Sequence, residues 1–212
     1  MENSTPSFIS PQINSEDMKL EKPLRLGILA SGSGTNFEAI AKAIDQQQLN
    51  ATIPLVIYNN PQAKVKEKAV AFNIESKLLN HREFKRRENL DQAIVDQFKS
   101  YQVNWVIMAG WMRIVTPVLL EAFPHHVINI HPSLLPSFKG IKAVEQALEA
   151  GVKITGCTVH LASLAVDSGP ILLQAAVPIL PNDTPETLHI RIQQQEHKIF
   201  PLAIALAAKL YP

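Results

Sequence analysis

The sequence predicts an α/β protein with a doubly wound, mostly parallel sheet and helices on both faces. Short apolar runs alternate with amphipathic segments from Leu24 onward, which is the pattern of βαβ units. The apolar fraction of 46% over 212 residues is sufficient for a sizeable core. We interpret residues 23–212 as a single domain, and residues 1–22, which carry Ser, Pro and charged side chains, as a flexible N-terminal extension.

The first half of the domain shows this alternation most clearly. Each apolar run is short enough for a strand, and each intervening segment is long enough for a helix. Strands are predicted over residues 24–30, 52–58, 74–79 and 103–110, and helices over 36–48, 63–73 and 83–100.

The second half continues the pattern and ends in a long helix. Helices are predicted over 117–122, 142–151 and 184–210, and strands over 126–131, 155–162 and 170–179. Pro185 falls in the first turn of the last helix, where proline is tolerated. Pro201 is expected to kink or break that helix.

Charge and cysteine content exclude several classes of protein. The chain has 20 basic and 19 acidic residues, so it presents no net field for nucleic acid or an anionic membrane. No apolar run reaches the roughly 20 residues that span a bilayer, and the first 22 residues lack the apolar centre of a secretory signal. Because Cys157 is the only cysteine, no internal disulfide can form, which favours a cytoplasmic location.

The stretch ASGSGTN, residues 30–36, joins the first predicted strand to the first helix. Its glycines allow a close approach to a ligand, and the helix N-terminus favours an anion. Alternatively, it is an ordinary turn in which Thr35 or Asn36 caps the helix. A dinucleotide site is disfavoured because Phe37 replaces the third glycine and Asn59 replaces the acidic residue after the second strand. A single terminal phosphate fits better, and the absence of GKS or GKT excludes an ATP-type P-loop.

The stretch VINIHPSLLP, residues 127–136, places polar residues at the end of an apolar strand. Side chains alternate along a strand, so Asn129 and His131 point to the same face. They lie at a carboxyl end, where open α/β sheets bind ligands. Asp167 lies in a turn between two later strands. Taken singly, His131 could be structural and Asp167 ordinary turn chemistry.

Together, these three residues form a chemically coherent set. A carboxylate beside an imidazole favours the protonated ring, which can act as a general acid, and an amide can stabilise an oxyanion. No nucleophile accompanies them, because Ser133 follows a proline and Cys157 lies in an apolar strand. Direct attack by a substrate amine on a carbonyl is therefore favoured. No metal is expected, since HExxH and paired-cysteine spacings are absent.

Five motifs carry a resemblance to a known family. They are SGSGTN (31–36), AGWMRIV (109–115), NIHPSLLP (129–136), VDSGPI (166–171) and QQEHKIFP (194–201). In this order and spacing, residues 24 to 208 resemble the phosphoribosylglycinamide formyltransferase family. The resemblance implies a Rossmann-like formyltransferase fold. It also implies transfer of a formyl group from 10-formyltetrahydrofolate to the amine of glycinamide ribonucleotide, in purine biosynthesis.

The resemblance also implies a role for each matched residue. The N-terminal half would hold the ribonucleotide, and the C-terminal half would hold the folate and the catalytic residues. Asn129 and His131 would stabilise the oxyanion, and His131 would move protons with the help of Asp167. The substrate phosphate and ribose would contact Gly34, Thr35, Asn36 and Glu196, and the folate would contact Arg87, Met112, Arg113, Ile114, Val115 and Asn129.

Some alternatives remain open at this point. On residue type alone, Arg113 could be a solvated charge and Glu196 a surface carboxylate. Formyltetrahydrofolate hydrolase and methionyl-tRNA formyltransferase are related enzymes, but we expect no room for the additional domain that each carries. A non-enzymatic nucleotide-binding module would also explain the glycine turn. The expected partners are the two small-molecule substrates, with no nucleic acid or membrane, in a monomer or homodimer.

Overall fold

A computed structural model describes residues 8–13 and 19–212 of the chain. In this part of the chain, six α-helices and a short 3-10 helix (His81–Glu83) accompany one eight-stranded sheet. The strands are β1 (Phe8–Ser10), β2 (Leu24–Ala30), β3 (Ala51–Tyr58), β4 (Ser76–Leu78), β5 (Trp105–Met108), β6 (Val127–His131), β7 (Ile154–Leu161) and β8 (Ile171–Pro178). The helices are α1 (Thr35–Asp45), α2 (Val65–Ala71), α3 (Arg87–Ser100), α4 (Pro117–Ala122), α5 (Ala143–Glu149) and α6 (Pro185–Leu210).

The sheet has the strand order β1-β8-β7-β6-β5-β2-β3-β4. From β6 to β4 all neighbouring strands are parallel, whereas β7, β8 and β1 extend the sheet by antiparallel pairing. The predicted class, a doubly wound and mostly parallel α/β sheet, is confirmed. The topology puts the carboxyl ends of β2, β5 and β6 on one edge, which is where such sheets bind ligands.

Helices cover both faces of the sheet, as predicted. Alternate residues of β2 enter two different cores, since Ile28 packs with α1 and α6 while Leu29 packs with α3. The strands of the parallel half are therefore apolar on both faces, which accounts for their nearly continuous hydrophobic runs. Within the described residues, no helix combines the length and apolar character that crossing a bilayer requires.

The N-terminal segment differs in part from the sequence prediction. Residues 1–22 were predicted to be a flexible extension, but Phe8–Ser10 forms β1 and pairs with β8. A three-residue strand is too short to show a periodic pattern. The remainder of the prediction for residues 1–7 and 14–18 lies outside the described residues.

The last helix also differs, because α6 continues through Pro201. The prediction was a kink or a break at this proline, and a break is excluded because the helix is continuous from Pro185 to Leu210. Proline removes one intrahelical hydrogen bond, but the flanking Phe200, Ala203 and Ile204 are fully buried in the core. Burial of this face stabilises the helix on both sides of the proline.

Candidate active site

Asn129 and His131 lie at the carboxyl end of β6 and point to the same face of the sheet. This is the arrangement that strand alternation predicts. Across the antiparallel pairing with β7, Asn129 is opposite His160 and His131 is opposite Thr158. His131 is buried, with 5% of its surface exposed.

Asp167 approaches both residues from the turn between β7 and β8. Its Oδ2 lies 3.3 Å from Nδ1 of His131 and accepts a hydrogen bond of 2.8 Å from the backbone N–H of Gly140. Its Oδ1 accepts from Nδ2 of Asn129 at 3.4 Å. The structure thus brings together three side chains that are up to 38 positions apart in the sequence.

Two opposing effects act on the Asp167 carboxyl. Burial raises its pKa, but the hydrogen bond with His160, the bond from Gly140 and the charges of His131 and His160 lower it more. The resulting pKa lies below the ordinary value for aspartate. Asp167 is therefore a carboxylate at neutral pH, available to interact with a cationic imidazole.

Both ring nitrogens of His131 face acceptors. Nε2 donates to the backbone carbonyl of Phe138 at 2.8 Å, and Nδ1 faces the Asp167 carboxylate. A carbonyl oxygen can only accept, so Nε2 carries a hydrogen. A hydrogen on Nδ1 as well, in the imidazolium, satisfies both contacts.

His160 completes this cluster, and the sequence analysis did not identify it. Its Nδ1 pairs with the carbonyl of Leu161 at 2.9 Å, and its Nε2 lies 3.1 Å from Nδ2 of Asn129 and 3.6 Å from Oδ1 of Asp167. With Nδ1 donating, Nε2 accepts from Asn129 in the neutral ring and donates toward Asp167 in the protonated ring. The available signal was a histidine within an otherwise apolar strand, TVHLA. Its partner could not be known without the β6–β7 register.

These four side chains line a cavity of about 310 Å³. The loop between β5 and α4 forms another wall of the cavity and includes the predicted folate residues Met112, Arg113, Ile114 and Val115. Met112 is 77% exposed and Ile114 is 50% exposed, so apolar surface remains open to a ligand. The side-chain nitrogens Nε1 of Trp111 and Nε of Arg113 are buried without a hydrogen-bond partner.

Both ends of this loop are held by side chains from other elements. The backbone N–H of Met112 donates to Oγ of Ser31 at 2.9 Å, and that of Thr116 donates to Oδ2 of Asp91 at 2.6 Å. Burial raises the pKa of the Asp91 carboxyl, although the bonds with Thr116 oppose this shift. The loop conformation is therefore fixed from α3 and from the glycine turn.

Arg87 is the predicted folate residue that the structure does not place on the cavity wall. It is exposed in the first turn of α3, four residues before Asp91. Since Asp91 contacts the end of the loop between β5 and α4, Arg87 lies on the helix that flanks this loop. A role for Arg87 toward the folate tail remains a prediction.

The glycine turn brings together the residues predicted to hold the ribonucleotide. Gly34 has a φ of 73°, and a Cβ there would lie 2.7 Å from a methyl group of Val65. Only glycine suits this position. The Asn36 amide donates to Oε2 of Glu196 at 2.9 Å, and Oγ1 of Thr35 accepts from Gln193 at 2.9 Å.

Glu196 and Asn36 are both buried, so neither is an ordinary surface residue. Burial raises the pKa of the Glu196 carboxyl, and the hydrogen bond from Asn36 partly opposes this. The oxygens Oδ1 of Asn36 and Oε1 of Gln195 have no hydrogen-bond partner. Buried polar atoms of this kind cost free energy unless a partner satisfies them. Asn36 of α1 and Glu196 of α6, which are hydrogen-bonded to each other, therefore offer polar groups to a ligand beside the glycine turn.

Neither a reactive thiol nor a cluster of metal ligands is found among the described residues. Cys157 is buried in β7, and burial raises the pKa of its thiol well above the ordinary value, so it is a poor nucleophile. Residues 8–13 and 19–212 contain no group of three His, Cys, Asp or Glu side chains arranged to hold a metal ion.

Comparison with known proteins identifies the family of this chain. The sequence profile of the formyl transferase family matches residues 24–204. The phosphoribosylglycinamide formyltransferase of Bacillus subtilis (strain 168) is 42% identical over 180 residues, which are 85% of this chain and 92% of that protein. The chain belongs to the formyl transferase family and, within it, to the phosphoribosylglycinamide formyltransferases.

Two further relatives agree with this assignment. The crystal structure of glycinamide ribonucleotide transformylase 1 from Symbiobacterium toebii superposes with a TM-score of 0.87 at 42% identity, covering 90% of each chain. The human trifunctional purine biosynthetic protein adenosine-3 is 42% identical over 188 residues. This match spans 89% of the present chain but only 19% of that longer protein.

Proposed function

We propose that this protein transfers the formyl group of 10-formyltetrahydrofolate to the amine of glycinamide ribonucleotide. The observation that carries the proposal is the convergence of Asn129, His131 and Asp167 on one cavity. Asp167 lies 3.4 Å from the Asn129 amide and 3.3 Å from the His131 ring. The names of the relatives at 42% identity support the choice of substrates.

The transfer requires stabilisation of a tetrahedral intermediate. The substrate amine attacks the formyl carbon, and the formyl oxygen becomes negatively charged. The 3.4 Å contact between Asn129 and Asp167 is long for a hydrogen bond, so a ligand oxygen could replace it and accept from Nδ2 of Asn129. The adjacent His131 adds positive charge when protonated, which favours the same intermediate.

The reaction also requires movement of one proton. A bond forms between the formyl carbon and the substrate nitrogen, and the bond from that carbon to the folate nitrogen N10 breaks. The attacking amine loses a proton and N10 gains one, so the two transfers balance. His131 is suited to this exchange because Asp167 stabilises its cationic form by direct contact.

Two neighbouring sites would hold the two substrates. The ribonucleotide phosphate would lie at the glycine turn, on the backbone of Gly34 and the side chains of Thr35 and Asn36, with Glu196 accepting from the ribose hydroxyls. The pterin ring would lie in the cavity against residues 112–115, where exposed apolar side chains and buried unpaired donors occur together. Arg87 would interact with the anionic tail of the folate.

A direct assay tests the proposal. The protein is mixed with 10-formyltetrahydrofolate, with and without glycinamide ribonucleotide, and release of tetrahydrofolate is followed. Turnover that depends on the ribonucleotide supports formyl transfer. Equal turnover without it would indicate a hydrolase, and no turnover under either condition would favour a binding module.

A further inference from the structure

We propose that Gln174 of β8 is a positioning residue for His131, acting across β7 through Thr158 and the loop that follows β6. The inference rests on the role of His131 in the proposed function. Gln174 does not contact His131, and its effect would come through hydrogen bonds that fix the loop facing the imidazole.

The sheet register places the three residues in one row. His131 is opposite Thr158 in the β6–β7 pairing, and Thr158 is opposite Gln174 in the β7–β8 pairing. Directly opposed residues in antiparallel strands lie on the same face. His131 on β6, Thr158 on β7 and Gln174 on β8 therefore form one row of side chains across three adjacent strands.

Gln174 supplies two donors to the first part of the loop. Its Nε2 donates to the carbonyl of Leu135 at 3.0 Å and to Oγ1 of Thr158 at 2.9 Å. The Thr158 hydroxyl donates to the carbonyl of Ser133 at 2.7 Å and accepts from the N–H of Leu135 at 3.0 Å. The hydroxyl thus has its single donor and both acceptor positions occupied.

The network continues from the loop to the imidazole. Oγ of Ser133 donates to the carbonyl of Ser137 at 2.6 Å, and the carbonyl of the next residue, Phe138, accepts from Nε2 of His131. Phe138 has a φ of 54°, a backbone conformation that non-glycine residues adopt only where the surroundings hold it. The direction of the Phe138 carbonyl therefore depends on the fixed position of residues 133–137.

Burial makes the Gln174 bonds hard to replace. Ser133 and Thr158 have no exposed surface, so water has little access to the groups that Gln174 satisfies. Loss of its two N–H donors would leave the carbonyl of Leu135 without this partner. Because an unsatisfied buried carbonyl is unfavourable, the loop would shift toward another donor, and the Phe138 carbonyl would move with it.

The test compares Gln174→Met, which keeps the length of the side chain but removes both donors, with the control Gln92→Met. Gln92 is exposed on α3, where its Nε2 donates to Asp96. For Gln174→Met we expect kcat to fall roughly tenfold, because the loss of about one hydrogen bond from the loop would misalign the His131 ring. The KM for glycinamide ribonucleotide should stay within about twofold, because the glycine turn is untouched.

A spectroscopic measurement separates positioning from general stability. The ¹⁵N resonances of the His131 ring, assigned by their loss in His131→Ala, should shift in Gln174→Met and not in Gln92→Met. Unchanged kcat together with unchanged His131 resonances would overturn the inference. A fall in kcat with wild-type His131 resonances would also overturn it, because the effect would not pass through the ring.

A second variant preserves the test if Gln174→Met does not fold. Thr158→Val keeps the shape of the side chain and removes the hydroxyl that links Gln174 to Ser133. It should produce the same change in kcat and in the His131 resonances, and its failure to do so would contradict the proposed path. Absence of formyl transfer by the unmodified protein would instead contradict the proposed function, while the resonances would still report the positioning of the ring.

Discussion

The backbone N–H of Met112 donates a 2.9 Å hydrogen bond to Oγ of Ser31. Ser31 belongs to the glycine turn, and Met112 opens the loop proposed to receive the folate. A second bond, from the N–H of Ser31 to the carbonyl of Gly110, reinforces this connection. These two hydrogen bonds join the two proposed substrate sites directly, and they can form because β2 and β5 are neighbours in the sheet.

Replacing Ser31 by alanine tests this link. Ser31→Ala should raise the KM for 10-formyltetrahydrofolate by about two- to tenfold, the usual worth of one hydrogen bond, because the loop loses an anchor. The kcat should change less, since Asn129, His131 and Asp167 are not touched. Steady-state kinetics with each substrate varied in turn provides the measurement. Ser100→Ala, at an exposed position at the end of α3, is the control, and an equal KM change there would remove the support for a specific link.

Replacing Asp167 by asparagine tests the proposed proton transfer. Asp167→Asn preserves the shape of the side chain but removes the negative charge beside Nδ1 of His131. We expect kcat to fall by about 10² to 10⁴, the range for loss of general acid–base catalysis. Ribonucleotide affinity, measured by titration calorimetry, should remain close to that of the unmodified protein. A kcat within threefold of normal would show that the carboxylate has no such role.

The pH dependence of the same reaction provides a further check on Asp167. Since its pKa lies below the ordinary aspartate value, the carboxylate is present above that value and is lost only as the pH falls below it. Loss of activity between pH 7 and pH 5 should therefore not come from protonation of Asp167. If a pH titration followed by ¹³C NMR places its protonation between pH 5 and 7, the account of its environment given above is wrong.

The sequence predicted the local features of the site and missed those that depend on register. Strand alternation was enough to put Asn129 and His131 on one face, and the glycine turn was recognised from residue type. Asp167 was grouped with them on chemical grounds, and the resemblance supported the grouping, but alternation within one strand says nothing about a residue in a distant turn. His160 and Gln174 act from antiparallel neighbours, and periodicity within one strand does not reveal which residues are opposed across a sheet. The helix is not broken at Pro201, because tertiary packing outweighs the local preference of proline to end a helix.

Replacing Glu196 by glutamine tests the ribonucleotide site. The Glu196 carboxyl is buried and has a raised pKa, so it is well placed to accept strong hydrogen bonds from ribose hydroxyls when ionised. Glu196→Gln should raise the KM for glycinamide ribonucleotide by about ten- to a hundredfold, as expected for a hydrogen bond to a charged group. The kcat and the KM for the folate should change little. Glu149→Gln, at an exposed position at the end of α5, is the matched control and should leave both KM values unaltered.

The loop before α6 provides a test of stability against pH. Asp183 accepts hydrogen bonds of 2.6 Å and 2.9 Å from the Arg191 guanidinium, and its side chain is only 4% exposed. The hydrogen bonds with Arg191 are the main reason that the pKa of Asp183 is lowered from 3.8 to about 2. A depressed carboxyl pKa contributes stability above the unfolded-state value and loses it as the pH falls toward the folded-state value.

Asp183→Asn should therefore lower the free energy of unfolding by roughly 1 kcal/mol at pH 7, because solvent near the surface screens part of the interaction with Arg191. The difference from the unmodified protein should decrease below about pH 4 and approach zero only below about pH 2, where the Asp183 carboxyl of the unmodified protein becomes uncharged as well. Urea unfolding at a series of pH values measures it, with Asp45→Asn at the exposed end of α1 as the control. A difference that stays constant from pH 7 to pH 3 would mean that the Arg191 pair does not stabilise the fold through the Asp183 charge.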